Sequence, residues 1–391
     1  MPRILGAPSA ACLSVRFAFF PLHSSPSPPV PSSAAAAWRP PPYVLRVLGT
    51  LLLALAAAGL CLLLHTPLPW MIGPILAVSF ASMAGLPTAS WAPLRNGGQW
   101  TIGAALGLYF TPEVTALVAS LWWAIVLAIA WALALGTVFG LCLDRVHARH
   151  MPQLPPRTLR ATTYFAGAIG GASEMTLLSE RAGARTDLVA AAHSLRLVIV
   201  TVSIPFGLQW AGLHGLDSVP AALREVRWGG FALMAGATAA GAWLMRRLGR
   251  ANPWFLGPLL VTAGISMNGV TPSAVPQWLS NAAQLVIAVS LGVRFSREFV
   301  HTAPRWLASV AVGTVAMIGA CALFAEVLAW ATGLRWTTLL LGTSPGGIAE
   351  MSITAKVLQL GVPVVTAFQV CRLVAVLLLT GPLFERLYGR R

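Results

Sequence analysis

The sequence predicts an all-α polytopic membrane protein made of two inverted repeats. Each repeat is expected to hold about five transmembrane helices plus one re-entrant hairpin broken by glycine. Three observations lead there: an apolar, charge-poor composition, a set of motifs that returns in the second half of the chain, and the placement of the arginines. The chain of 391 residues is 57% hydrophobic and only 9% charged, with a mean hydropathy of +0.75. In a soluble domain charged residues make up about a quarter of the chain. Repeated apolar runs of spanning length point instead to the bilayer.

Residues 1–42 stand apart. The tract "HSSPSPPVPSSAAAAWRPPP" cannot pack a core, and it is expected to be a disordered tail, a targeting segment or an over-extended start. From Tyr43 onward twelve apolar segments follow, near 43–65, 69–86, 97–110, 114–141, 161–178, 187–210, 229–245, 253–268, 279–293, 304–330, 336–358 and 361–382. The expected organisation is repeat 1 over 43–210, a loop over 211–228 and repeat 2 over 229–387. "PWMIGP" at Pro69 returns as "PWFLGP" at Pro253, and "LGLYF" at Leu106 as "LGVRF" at Leu291. "GGASEM" at Gly170 returns as "GGIAEM" at Gly346, and "HSLRLVIV" around Arg196 as "QVCRLVAV" around Arg372.

The net charge of +15 comes from 26 basic against 11 acidic residues. Arginines cluster at segment ends, as the positive-inside rule requires of cytoplasmic loops. They precede segment one (Arg39, Arg46), follow segments four (Arg145, Arg149, Arg157, Arg160) and seven (Arg246, Arg247, Arg250), surround the loop after segment nine (Arg294, Arg297, Arg305), and end the chain. Twelve full crossings would put the loops after four and seven on opposite sides. If segments five and eleven instead enter and leave by one face, all five clusters fall in the cytoplasm. Each repeat then crosses five times, so the copies are inverted, with broken helices meeting near the midplane as in secondary transporters.

The candidate site follows from these breaks. Glu174 and Glu350 each sit just after a glycine pair, Gly170–Gly171 and Gly346–Gly347. A carboxylate at bilayer depth costs on the order of 3 kcal/mol, so it is expected to face the interior and bind a cation or proton; a structural ion pair is the bland alternative. Arg196 and Arg372 follow Glu174 and Glu350 at the same spacing, and they could pair with them or recognise an anion through the guanidinium fork. His193 matches Gln369 in the other half; a hydrogen-bonded helix contact is the simpler role, a proton relay the sharper one. Ser173 and Ser344 could offer oxygens to Na⁺, although back-bonding to the helix is commoner. Lys356 reads as a snorkelling side chain, the Trp-rich segment ends as interfacial anchors, and the pairs Gly103/Gly107 and Gly136/Gly140 as close helix contacts.

Other chemistries find little support. The five cysteines show no C-x-x-C, and the seven histidines are scattered, so no metal or other cofactor is expected. No P-loop appears, and the longest polar loop, near 144–160, is too short to form a DNA-binding module. The expectation is a protein that is not an enzyme, binds no nucleic acid, and has the lipid bilayer and a small solute, with H⁺ or Na⁺, as partners; self-association is left open.

The motifs "PWFLGPLL", "GGASEM" and "GTSPGGIAEM", with an arginine-bearing helix after each break, resemble the AbrB-duplication family of bacterial membrane proteins, from about Val44 to Leu387. Members carry names such as "AbrB family transcriptional regulator" and ammonia monooxygenase. The resemblance implies a fold similar to the cation/proton antiporter and anion transporter superfamily, in the bacterial inner membrane, with the C-terminus expected in the cytoplasm. The expected function is secondary transport of a small polar solute bearing a carboxylate, coupled to H⁺ or Na⁺. The alternative is a non-transporting sensor or scaffold with an indirect effect on gene expression. A monooxygenase is disfavoured by the scattered ligands.

Overall fold

A computed structural model describes residues 42–213, 225–250, 252–295, 297 and 303–388, and the side chain of Ser173 is outside that description. The expected tail (to residue 41) and most of the loop expected over 211–228 therefore lie outside the described residues. Among the described residues there are fifteen helices and no strand. The first half holds α1 (Tyr43–Leu63), α2 (Pro69–Met83), α3 (Ala92–Gly107), α4 (Pro112–Ser120), α5 (Trp122–His147), α6 (Pro156–Gly167), α7 (Ala172–Arg181) and α8 (Thr186–Trp210). The second holds α9 (Trp228–Arg247), α10 (Pro253–Met267), α11 (Gln277–Gly292), α12 (Pro304–Thr332), α13 (Trp336–Thr343), α14 (Ile348–Leu358) and α15 (Val362–Tyr388).

Five of these, α1, α5, α8, α12 and α15, are long and apolar enough to cross a membrane. Their outer faces expose large apolar side chains, Leu52, Leu323 and Trp330 among them. In water such surface would be an aggregation liability; against lipid tails it costs nothing. The chain is thus built as a polytopic helical membrane protein.

The expected segments map onto helices with two kinds of departure. Segment four is not one helix. It breaks at Leu121, and α4 is a short element with no buried residue, capped at its start by Thr111 and followed by the long α5. Pro112 and the Thr111 cap restart the chain there, with the axis of α4 bent 90° from that of α3. Segment three starts earlier than the apolar run, at Ala92, because Pro93 sits in the first helical turn, where its missing N–H has no partner to lose. Segments five and eleven do divide at their glycine pairs, into α6 and α7, and into α13 and α14.

Matched positions make matched contacts. Leu68 and Asn252, each just before the proline of a "PW" motif, precede α2 and α10 with the same left-handed backbone (φ 47° and 50°). Asn tolerates this readily, whereas the fully buried Leu68 bears a strain of about 1–2 kcal/mol. A Cβ on Gly73 of α2 would lie 2.6 Å from the Ala57 carbonyl oxygen, and one on Gly257 of α10 would lie 2.6 Å from the Ala242 backbone. Gly107 at the end of α3 packs on Leu259 and Ala263 of α10, while Gly292 at the end of α11 packs on Ile75 and Val78 of α2. Helices α3 and α11 meet where Gly98 leaves room for the Ala283 carbonyl. Gly98 and Ala283 are themselves matched positions, each next before the glutamine of "NGGQ" or "NAAQ". Gly136 and Gly140 bring α5 onto the backbone of Ala168 and Tyr164.

Candidate functional site

Each glycine pair is explained by what lies over it. Gly171 and Gly347 are the N-cap residues of α7 and α14, with ordinary extended backbone. They leave room for a side chain, since a Cβ on either would displace the carboxylate of the glutamate at the third helical position, Oε2 of Glu174 or of Glu350. The preceding glycines, Gly170 and Gly346, are covered by Met175 and Met351, both fully buried. The pattern G-G-x-x-E-M therefore encodes a helix start in which a glutamate folds back over its own first turn. That is the position at which a carboxylate satisfies free N–H groups and meets the positive end of the helix dipole.

The arginines hold the other side of each break. Arg196 of α8 donates to the carbonyls of Ala166, Gly167 and Ala168, the last at 2.8 Å, which are the unpaired carbonyls at the end of α6. It also donates to Nδ1 of His193 at 2.6 Å. His193 in turn donates from Nε2 to the Phe165 carbonyl at 2.9 Å, which fixes a neutral ring. Arg372 of α15 donates to the carbonyls of Ser344 and Gly346 and to Oε1 of Gln369, while the Gln369 amide donates to Leu341 at 2.7 Å. Both arginines are almost wholly buried. Pairing of these arginines with the glutamates is not what the structure shows: carbonyls take the donors, and the ion pair found among the described residues is Arg185–Asp187. The Ser344 hydroxyl bonds back to Leu341, so its carbonyl serves the arginine and its hydroxyl is committed to the helix.

The two helix starts meet at one cavity of 140 Å³. Its walls include Gly170, Gly171, Glu174, Gly346, Gly347, Glu350 and Arg372. Arg196, His193, Gln369 and Ser344 belong to the brackets around the breaks. Ser173 cannot be placed, its side chain lying outside the described residues. Three polar residues that the sequence reading did not single out for the site complete the wall: Gln99 of α3, Asn252 at the start of α10, and Arg294 after α11. A signal existed for Gln99, since "NGGQ" at Asn96 returns as "NAAQ" at Asn281. Arg294 carried none, because its matching position holds Tyr109 and the arginine read as a loop charge.

The fold and this cavity define a polytopic helical membrane protein with a small, charged interior site built on two broken helices. Residues 70–388 match the family model described as "Transition state regulatory protein AbrB". The chain belongs to that AbrB family. It is 25% identical over 364 residues to "Uncharacterized protein YhjN" of Bacillus subtilis (strain 168), covering 86% of this chain and 92% of that protein. It is also 25% identical over 333 residues to "Putative regulator AbrB" of Escherichia coli (strain K12), covering 83% of this chain and 91% of that protein.

Proposed function

We propose that this chain is a secondary transporter for a small solute bearing a carboxylate, coupled to H⁺ or Na⁺. The observation that carries the reading is the meeting of two helix N-termini, each covered by its own glutamate, at one small cavity. Free N–H groups at a helix start favour an anion, and Arg372 and Arg294 add positive charge to the same walls. The carboxylates of Glu174 and Glu350 lie over those starts. An entering solute carboxylate competes for the same N–H groups, and a displaced glutamate is neutralised by taking up a proton or a Na⁺ ion. Solute and cation occupancy are thereby linked, the requirement for coupled transport. The cavity is well below the roughly 300 Å³ at which sites for drug-sized ligands begin, which favours a solute of a few carbons.

The inverted-repeat arrangement belongs to the same reading. It is supported by contacts that recur at matched positions and by the crossing of α3 and α11 at Gly98 and Ala283. The membrane of residence would be the bacterial inner membrane.

The test is thermal stability of the detergent-purified protein and of Glu350→Gln against small carboxylates, amines and amino acids, with and without Na⁺, followed by flux of any hit in proteoliposomes. A ligand that binds only the folded state raises its apparent stability. Stabilisation by a carboxylate whose dependence on the cation is lost in Glu350→Gln, with flux in the wild type, is the expected result. The name of the Escherichia coli relative favours a second reading, a membrane sensor that acts on gene expression indirectly. It predicts the same binding without flux. Stabilisation by amines alone, or by nothing, would remove the carboxylate transporter.

A further inference from the structure

The cavity shares two of its walls with a second space. Arg294 and Ala172 line it and also line a wider vestibule of 460 Å³, which is bounded further by Thr176 of α7 and by Asp187, Ala190 and Ser194 of α8. Ala172 is the first residue of α7, so Arg294 stands where the vestibule meets the helix start. Glu174 and Glu350 line the cavity behind it. Arg294 and Ala172 are thus the residues that face both spaces.

The corresponding surface of the other half is shut. Thr176 and Ala190 face the vestibule, whereas the residues at the matching positions, Ser352 of α14 and Thr366 of α15, are fully buried, with their hydroxyl oxygens 3.0 Å apart. Position 294 itself corresponds to Tyr109, so the two routes also differ in charge.

We infer that Arg294 is the anion-selecting residue at the mouth of the cavity, reached between α7 and α8, and that the matching route between α14 and α15 is closed in this structure. The inference deepens the proposed function and rests on it for the identity of the site. It assigns the solute class at the point of entry: a small anion is drawn in by a partly enclosed positive charge, and a cation of equal size is turned away.

The experiment uses an anionic and a cationic methanethiosulfonate reagent of similar size on the full chain, with its native cysteines replaced. Single cysteines are placed in the vestibule (Ser194→Cys), in the cavity (Ala349→Cys) and in the closed route (Ser352→Cys). The expected result is reaction at the first two positions and protection at the third. At Ala349→Cys the ratio of anionic to cationic reaction rates should fall about tenfold on adding Arg294→Gln and be kept by Arg294→Lys. Should Arg294→Gln fail to fold, Arg294→Met makes the same comparison with an apolar chain of similar length. An unchanged ratio, an unreactive Ala349→Cys, or a Ser352→Cys as reactive as Ser194→Cys would each overturn the inference. Labelling needs no transported solute. A failed carboxylate panel with intact selection would therefore reject the proposed function alone, and a positive panel with an unchanged ratio would reject Arg294 alone.

Discussion

Arg196 and Arg372, at matching positions of the two halves, make the same bond: each donates to the carbonyl at the end of a broken helix, Ala168 in one half and Ser344 in the other. The partners correspond as well, since His193 and Gln369 each accept from the arginine and donate to the carbonyl of Phe165 or Leu341. Histidine and glutamine can both accept at one atom and donate at another, which is why so unlike a pair can fill one role. An unpaired helix end at bilayer depth would cost several kcal/mol. The arginines are first of all the brackets that make the breaks tolerable, and the site is built on the helix starts they leave free.

Arg196→Gln and Arg372→Gln should therefore both destabilise. Each leaves carbonyls at a buried helix end without a donor, a loss of about 1–3 kcal/mol per unsatisfied group, read as a lower melting temperature in detergent. Their effects on binding should differ, because Arg372 lines the cavity and Arg196 serves the bracket. A stabilised Arg196→Gln, obtained by adding lipid or lowering the temperature, should still bind the carboxylate that shifts the wild type, while Arg372→Gln should not. Equal loss in both would show that cavity access does not separate them.

Glu350→Gln should leave the fold nearly unchanged, since glutamine also serves at the third position of a capping box. What it removes is the charge. Cation-dependent stabilisation and flux should be lost with the melting temperature shifted only slightly. Glu350→Ala should in addition lose about 1 kcal/mol of stability, the usual cost of a lost cap. A large destabilisation by Glu350→Gln would mark the carboxylate as structural and take it out of the coupling step.

Much of this was legible from the residues. The helical membrane class, the glycine breaks, and the position of Glu174 and Glu350 beside them could be read from composition and from motifs that recur. The partners of the arginines could not, because a guanidinium at helix depth fits a carboxylate or a carbonyl equally well by residue type, and only geometry decides. The break at Leu121 was hidden because the run 114–141 is apolar throughout, so Thr111 and Pro112 signal a helix start without signalling where it stops. Arg294 was hidden for a related reason: an arginine just past an apolar segment reads as a topological charge unless the neighbouring helices are known to fold a cavity around it.

The space over the second glycine of each pair gives a test of its own. Gly347→Ala should push the Glu350 carboxylate off the helix start, at about 1 kcal/mol or somewhat more, the cost of a lost cap. Combined with Glu350→Ala, which removes the obstructing side chain, the cost of Gly347→Ala should shrink, giving a coupling energy of about 1 kcal/mol or more in a double-mutant cycle. Additive effects would mean that the glycine answers to something other than its glutamate.

The orientation of the halves can be tested by sidedness alone. Arg145 at the end of α5, Arg149 in the loop after it and Arg157 and Arg160 early in α6 form one cluster, and Arg246, Arg247 and Arg250 stand at the end of α9 and just after it. The positive-inside rule puts both clusters in the cytoplasm. They can share a side only if an even number of full crossings lies between them. If α8 and α9 each cross once, the segment made of α6 and α7 must return to the face it entered. Its interruption at Gly170–Gly171 makes that return possible, with Arg196 already satisfying the carbonyls that the interruption frees. Impermeant-reagent accessibility of tags at Met151 and Gly249 should show both protected in intact cells and both reactive in inverted vesicles. Opposite sidedness would require α6 and α7 to cross as one unit, and with it the inverted relation of the two halves would be lost.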